Sequence, residues 1–249
     1  MIAITSPAKT LNFILEPKRE LEFEPRHQKK TEQLVAVLAN YSPTQLKKLF
    51  GVSQAIAELN VNRFKNWKTA PTKPAILAYK GDIYRELTAD RWNLNQAKLA
   101  QEQVRIMSGM YGSVRPYDLI KPYRLEMKTK LVVGKAKDLH EFWKSEVTAD
   151  LNEELSKHKE GVLVDLASKE YSRVIDKKLL GFPIVEVVFK FRRKGQLKVV
   201  PILAKKARGK IIEFMVTQGI TKVDGLEKFN RDGFELWERT NTEIVFVHD

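Results

Sequence analysis

No cysteine occurs among the 249 residues, which excludes disulfides, thiolate metal ligands and thiol nucleophiles and suits a reducing cytoplasm. Histidine is scarce: the four, His27, His140, His158 and His248, have no partner at ligand spacing, so no metal site is expected. No apolar run approaches the ~20 residues of a membrane-spanning helix, so no membrane association is expected. The opening MIAITSPAKT has no basic stretch before its apolar run and reads as a first strand rather than a signal peptide. There is no internal repeat, low-complexity segment, phosphate-binding Walker loop, dinucleotide fingerprint or Gly-x-Ser-x-Gly elbow. Nucleotide hydrolysis is therefore not indicated, and no cofactor is expected.

What is present in excess is positive charge. The chain carries 44 Lys and Arg against 31 Asp and Glu, a formal net charge of +13. From Gly161 to Lys210 there are 13 cations and 4 carboxylates, whereas Arg231 to Asp249 holds two arginines against five acids. A basic region inside a folded domain points to nucleic acid or another polyanion, with solubility as the alternative reading. Between Met107 and Met127, two glycines, two prolines, three tyrosines and two arginines fit neither a helical nor a strand period. Such a loop mixes backbone punctuation with groups that hold phosphates and stack on bases.

Apolar, β-rich runs at Ile2–Thr5, Ala75–Tyr79, Val104–Ser108, Val162–Ala167, Val185–Phe191, Val199–Leu203 and Glu243–Val247 read as strands. Helices are expected over Gln28–Ala39, Leu94–Gln103, Lys137–Lys157 and Lys205–Gln218, with a hairpin turn at Arg192–Gln196 and an excursion from Leu15 to Arg26. Five strand exits carry polar and mostly cationic residues: Ser6 to Thr10, Lys80 to Asp82, Ser108 to Gly112, Ser168 to Tyr171 and Lys205 to Gly209. If those strands lie side by side and mostly parallel, the exits line one basic cleft, because ligands of open α/β sheets bind outside the carboxyl ends of the strands. Lys9, Lys80, Lys169, Lys205 or Lys206 beside Asp82, Glu126 or Glu170 would suit either a base-assisted lysine or structural ion pairs. Tyr111, Tyr117, Tyr123 and Tyr171 would stack on bases if exposed there, or fill core if not.

Ser42-Pro-Thr-Gln45 carries a helix start: Ser as cap, Pro at the first helical position and Gln three residues on. That helix should end at Gly51, with Ser53 capping a second one. The spacing resembles the helix-hairpin-helix motif, whose turn aims the free amides of the second helix at a DNA phosphate; Phe50 and Ser53 stand where that motif prefers Pro and Gly. A plain αα-hairpin is the alternative. Lys47, Lys48, Arg63, Lys65 and Lys68 lie close by.

Ser6-Pro-Ala-Lys-Thr10-Leu, Ala78-Tyr-Lys-Gly-Asp82-Ile-Tyr84, Ser108-Gly-Met-Tyr-Gly112 with Arg115-Pro, Pro122-Tyr-Arg-Leu-Glu-Met127, Asp138-Leu-His-Glu-Phe-Trp143, Ala167-Ser-Lys-Glu-Tyr171 and Ala204-Lys-Lys-Ala-Arg-Gly209 run in order across the chain. Together they resemble the YaaA family of bacterial peroxide-stress proteins. The resemblance implies a cytosolic protein that limits oxidative DNA damage under hydrogen peroxide and is associated with lower free iron. It also implies a mixed α/β fold with a positive cleft, a helix-hairpin-helix element and double-stranded DNA as partner. It brings no established catalytic activity, and no residue set here explains iron control. The Pro-Ala-Lys-Thr motif falls on Pro7 to Thr10, making Lys9 the first choice for a cleft cation.

The expectation is a mixed α+β body spanning residues 1–249, with a central mixed sheet, a basic cleft at strand ends and a helix-hairpin-helix element over about residues 42–60. Its hairpin residues are Gly51, Val52 and Ser53. Its cleft residues are Ser6, Lys9, Thr10, Lys80, Asp82, Ser108, Tyr111, Arg115, Arg124, Lys169, Tyr171, Lys205, Lys206 and Arg208. The expected partner is double-stranded DNA, including bent or damaged duplex, bound without sequence specificity by a cytoplasmic monomer. The alternatives are an enzyme acting on a nucleotide or damaged base, and a basic face that docks an acidic protein.

Overall fold

Ile2-Ala-Ile-Thr5 offers no polar face, so it must be covered on both sides, as central parallel strands are. The computed structural model of the chain, which describes residues 1–14 and 20–249, places it there, with every residue of the strand buried. In chain order the first half runs β1 (Ile2–Thr5), β2 (Thr10–Leu11), α1 (Gln28–Ala39), α2 (Pro43–Phe50), α3 (Gln54–Lys65), β3 (Lys73–Pro74), α4 (Ala75–Ala78), β4 (Tyr79–Lys80), α5 (Leu94–Gln103), β5 (Val104–Ser108), β6 (Gly112–Val114) and β7 (Leu119–Ile120). The second half runs α6 (Leu139–Leu155), β8 (Leu163–Asp165), α7 (Lys169–Ser172), β9 (Ile184–Arg193), β10 (Gln196–Lys198), α8 (Pro201–Thr217), β11 (Phe234–Arg239) and β12 (Glu243–His248).

An eight-stranded mixed sheet has the order β11-β12-β9-β8-β1-β5-β6, with β10 folded back on β9. From β12 to β5 neighbours are parallel, while β11, β6 and β10 pair antiparallel with their partners. The chain goes from β1 to β5 on one side, then returns to lay β8 on the other side of β1. The point where winding reverses therefore lies between β1 and β8, aligned by Ala3 opposite Val164. Buried residues from Met1 to Phe246 form one continuous core.

Two expected strands are helical. Ala75–Tyr79 is mostly the single turn α4, flanked by two-residue strands. A short buried apolar run has no period that separates strand from helix, and here the Ala75 and Ile76 amides donate to the carbonyls of Asp118 and Pro116. Val199–Leu203 is instead the approach to α8, because Pro201 cannot donate to a sheet ladder and sits at the helix's start. The strand completing the Arg192–Gln196 hairpin is β10, reached through Lys194 and Gly195, both at positive φ. Of the expected excursion from Leu15 to Arg26, residues 15–19 lie outside the described residues; beyond them Phe23 bridges to Asp118.

The α2–α3 pair forms as its caps dictate. The Ser42 hydroxyl accepts from the Gln45 amide at 3.3 Å and the Gln45 side chain accepts from the Ser42 amide at 2.8 Å. Gly51 closes α2 at φ 61°, and the Ser53 hydroxyl accepts from the Ile56 amide at 3.4 Å. Among the described residues, no helix is long and apolar enough to cross a membrane.

Candidate functional site

At the winding reversal, the exits of β1 and β8 are tied together. The Ser6 hydroxyl accepts from the Ser168 amide at 2.9 Å, and the two serine hydroxyls lie 3.3 Å apart. Above them opens a cleft of about 260 Å³ lined from four directions: Ser6 to Thr10, Lys80 to Tyr84, Ser168 with Glu170 and Tyr171, and Lys205 with Arg208. Its closure depends on small residues. A Cβ on Gly81 would stand 3.0 Å from that of Ala8, and one on Gly209 would fall 2.2 Å from the Ile83 carbonyl oxygen. Gly209 thus lets α8 lie directly on the Ile83–Glu86 segment and bring Lys205 and Arg208 to the cleft. Tyr84 forms part of the floor, its hydroxyl donating to the Ser6 carbonyl at 2.8 Å.

The cleft's charges are not equally available. Lys9 lies 2.9 Å from Glu126, which also receives Lys128 and Arg124, each at 3.3 Å. Burial pushes the Glu126 carboxyl up, but Lys9 and Lys128 outweigh it and hold the group below the ordinary glutamate range. Lys80 and Lys205 are exposed and make no ion pair among the described residues. The buried Arg208 Nε finds no acceptor there either. Burial lowers the Arg208 pKa despite the nearby charges of Asp165 and Glu186. Asp165, opposite Glu186 on the neighbouring strand, is pushed up to about 6 by burial, a shift that the Ala167 amide opposes and Glu186 reinforces.

Of the residues singled out in the sequence, Ser6, Lys9, Thr10, Lys80, Asp82, Tyr171, Lys205 and Arg208 line this cleft. Arg124 reaches it only through Glu126. Ser108 is buried, 2.7 Å from the Tyr123 hydroxyl. Tyr111 is core: its hydroxyl accepts from the Lys121 amide at 2.9 Å and its ring centroid lies 6.3 Å from that of Trp67. Arg115 is held by Asp118 at 2.9 Å and covers Phe23. Tyr117 and Tyr123 are also buried, so these tyrosines and Tyr111 offer no stacking face. Lys169 lines a neighbouring cavity with Asp165, Glu186 and Glu243, and Lys206 a third with Phe191 and Lys210. The difference between Lys205 and Lys206 is helical: Arg208, three residues beyond Lys205, shares its face, whereas Lys206 is turned about 100° away.

A second groove, of about 560 Å³, runs between α2 and the Glu126–Lys130 segment and is lined by Tyr41, Lys48, Phe50, Lys128 and Lys130 among others. It shares Glu126 with the cleft, so the two adjoin. Along both, seven cations face three carboxylates. The expected cleft residues did not include Lys128, Lys130 or Tyr84, and Ser168 entered only as the first residue of an expected strand exit. The signal for Ser168 was present, since it follows β8 as Ser6 follows β1. Among the described residues, no group of three His, Cys, Asp or Glu side chains is arranged to hold a metal ion.

A family model described as peroxide stress protein YaaA matches residues 1–240. The chain belongs to the YaaA peroxide-stress family. A UPF0246 protein of Janthinobacterium sp. (strain Marseille) is 39% identical over 251 residues, covering 99% of this chain and 97% of its own. UPF0246 proteins of Rickettsia bellii (strain OSU 85-389) and Crocosphaera subtropica are each 40% identical, covering 99% of this chain and all of theirs. In this YaaA-family chain, the Ser6–Thr10 and Lys80–Asp82 motifs meet through the pairing of Thr10 with Lys80.

Proposed function

We propose that the protein binds double-stranded DNA without sequence specificity and, in a peroxide-stress response, limits oxidative damage to it. The observation that carries this reading is the cationic track from the α2–α3 hairpin, along the groove of Lys48, Lys128 and Lys130, to the cleft with Lys80, Lys205 and Arg208. At its outer end Gly51 and Ser53 are exposed, and the first turn of α3 presents amides that the helix itself cannot satisfy. These groups suit phosphates. Phosphate contacts set position and affinity but carry no base identity, so the binding is indifferent to sequence.

Equilibrium titration of duplexes of equal length and permuted sequence tests the reading. Affinities should agree to within about twofold, and Ser53→Asp, which puts a negative charge where the phosphate sits, should weaken all of them together. No binding by the wild type at low salt, or strong preference for one sequence, overturns it.

A further inference from the structure

The cleft differs from the groove that leads to it. In the groove three lysines face one carboxylate, which suits a passing phosphate backbone; in the cleft Lys9, Lys80, Lys205 and Arg208 share about 260 Å³ with Asp82, Glu126 and Glu170. A continuous backbone drawn through that space would set phosphates beside carboxylates, a juxtaposition that rejects rather than binds. A pocket with both signs of charge fits a ligand with an anionic end and a hydrogen-donating end.

Which groups remain available narrows the ligand further. Glu126 is spent on Lys9, Lys128 and Arg124. Among the described residues, Asp82 has only a distant contact with Arg85, at 3.8 Å. One Glu170 oxygen accepts from the Lys128 amide at 3.3 Å, and the other has no partner among the described residues. On the donor side, Lys80, Lys205 and the Arg208 Nε are uncommitted among the described residues. Tyr84 and Tyr171 line the cleft but are largely buried, so they shape its floor rather than present a ring face. Open cations beside open carboxylates meet two needs of a nucleotide: phosphate and base edge.

We infer that the cleft binds a single guanine nucleotide unit, its phosphate held by Lys80, Lys205 and Arg208 and its base edge by Asp82 or Glu170. Guanine is the base whose Watson–Crick edge sets two donors, N1–H and the N2 amino group, side by side, matching the two oxygens of one carboxylate. Adenine and cytosine set one amino group beside a ring acceptor that would face the second oxygen. Thymine sets its one N–H between two carbonyls. The unit is either a free nucleotide or one lifted out of a duplex; only the second source rests on the DNA-binding reading.

Calorimetric titration with GMP, AMP and CMP, alongside duplexes carrying one bulged guanosine or one bulged thymidine, tests the assignment. The wild type should bind GMP at least about tenfold tighter than AMP or CMP, the discrimination expected of one bidentate base contact. Asp82→Asn or Glu170→Gln should erase that preference while retaining nucleotide binding, whereas Lys205→Ala should weaken all three nucleotides; melting curves establish that each variant is folded. A tighter complex with the bulged guanosine than with the bulged thymidine supports lifting from DNA. GMP binding with equal affinity for the two bulged duplexes supports a free nucleotide. Duplex binding without any nucleotide binding, or nucleotide binding blind to the base, overturns the inference and leaves the DNA reading standing. GMP binding without duplex binding does the reverse.

Discussion

Asp165 is ionised at neutral pH against the preference of its surroundings. Its folded pKa of about 6 lies above the ordinary value of 3.8, so between those values the folded chain holds more proton than the unfolded one. Stability therefore falls as pH rises from about 4 to about 6 and stays at the lower level above. Asp165→Asn, which keeps an oxygen for the Ala167 amide, should stabilise the protein by about 1–3 kcal/mol at pH 7.5 and by about a third of that at pH 4.5. Thermal melts at the two pH values check this, and an equal shift at both contradicts it. Glu126 has the opposite sign: its pairing with Lys9 and Lys128 stabilises above the ordinary glutamate range and is lost as pH falls below it. The same pairing revises the ranking of cations. The sequence pointed first to Lys9, but that lysine is already neutralised by Glu126, whereas Lys80 has no ion pair among the described residues. Lys80→Ala should therefore weaken nucleotide binding in the cleft more than Lys9→Ala, as a calorimetric comparison with GMP would show. Motif membership was legible in the residues; which lysine a buried carboxylate claims was not, because Glu126 lies 117 positions away in sequence.

At the scale of elements, local chemistry decided what could be read. The bounds of α1, α2, α5 and β5 follow from caps, amphipathic period and a continuous apolar run, all of which are local. α4 and the start of α8 did not follow, since four or five apolar residues fit either state until Pro201 or the Asp118 carbonyl decides. Two glycines separate conformational cost from packing cost. At Gly51 a Cβ meets nothing within 4 Å, yet φ is 61°, so Gly51→Ala should cost about 1 kcal/mol through backbone strain alone. At Gly209 φ is ordinary but the Cβ would strike the Ile83 carbonyl, so Gly209→Ala must shift α8 and should cost more than Gly51→Ala while also weakening ligands that need Lys205 and Arg208. Urea denaturation of both variants gives the order, and equal costs would contradict the close packing of α8.

For the whole molecule, the order of strands is what turns scattered motifs into one site. Polar residues after strands are visible in the sequence, but their convergence requires β8 to lie beside β1 across more than 150 residues, a pairing with no local signature. The fifth expected strand exit illustrates the limit: Lys205 and Arg208 reach the cleft from the face of a helix, not from the end of a strand. The excess charge of +13 likewise gains direction only in the fold, where Lys48, Lys128 and Lys130 join the hairpin to the cleft. The most direct test of this track is the salt dependence of duplex binding between ~50 and ~200 mM salt, where each neutralised phosphate adds about −0.9 to the slope of log K against log salt. A slope of about −4 or steeper for the wild type, flattened by about one unit each in Lys48→Ala and Lys130→Ala and by less in Lys128→Ala, whose ammonium shares Glu126, is the predicted result. A slope near zero, or one that none of the three substitutions alters, would contradict the account.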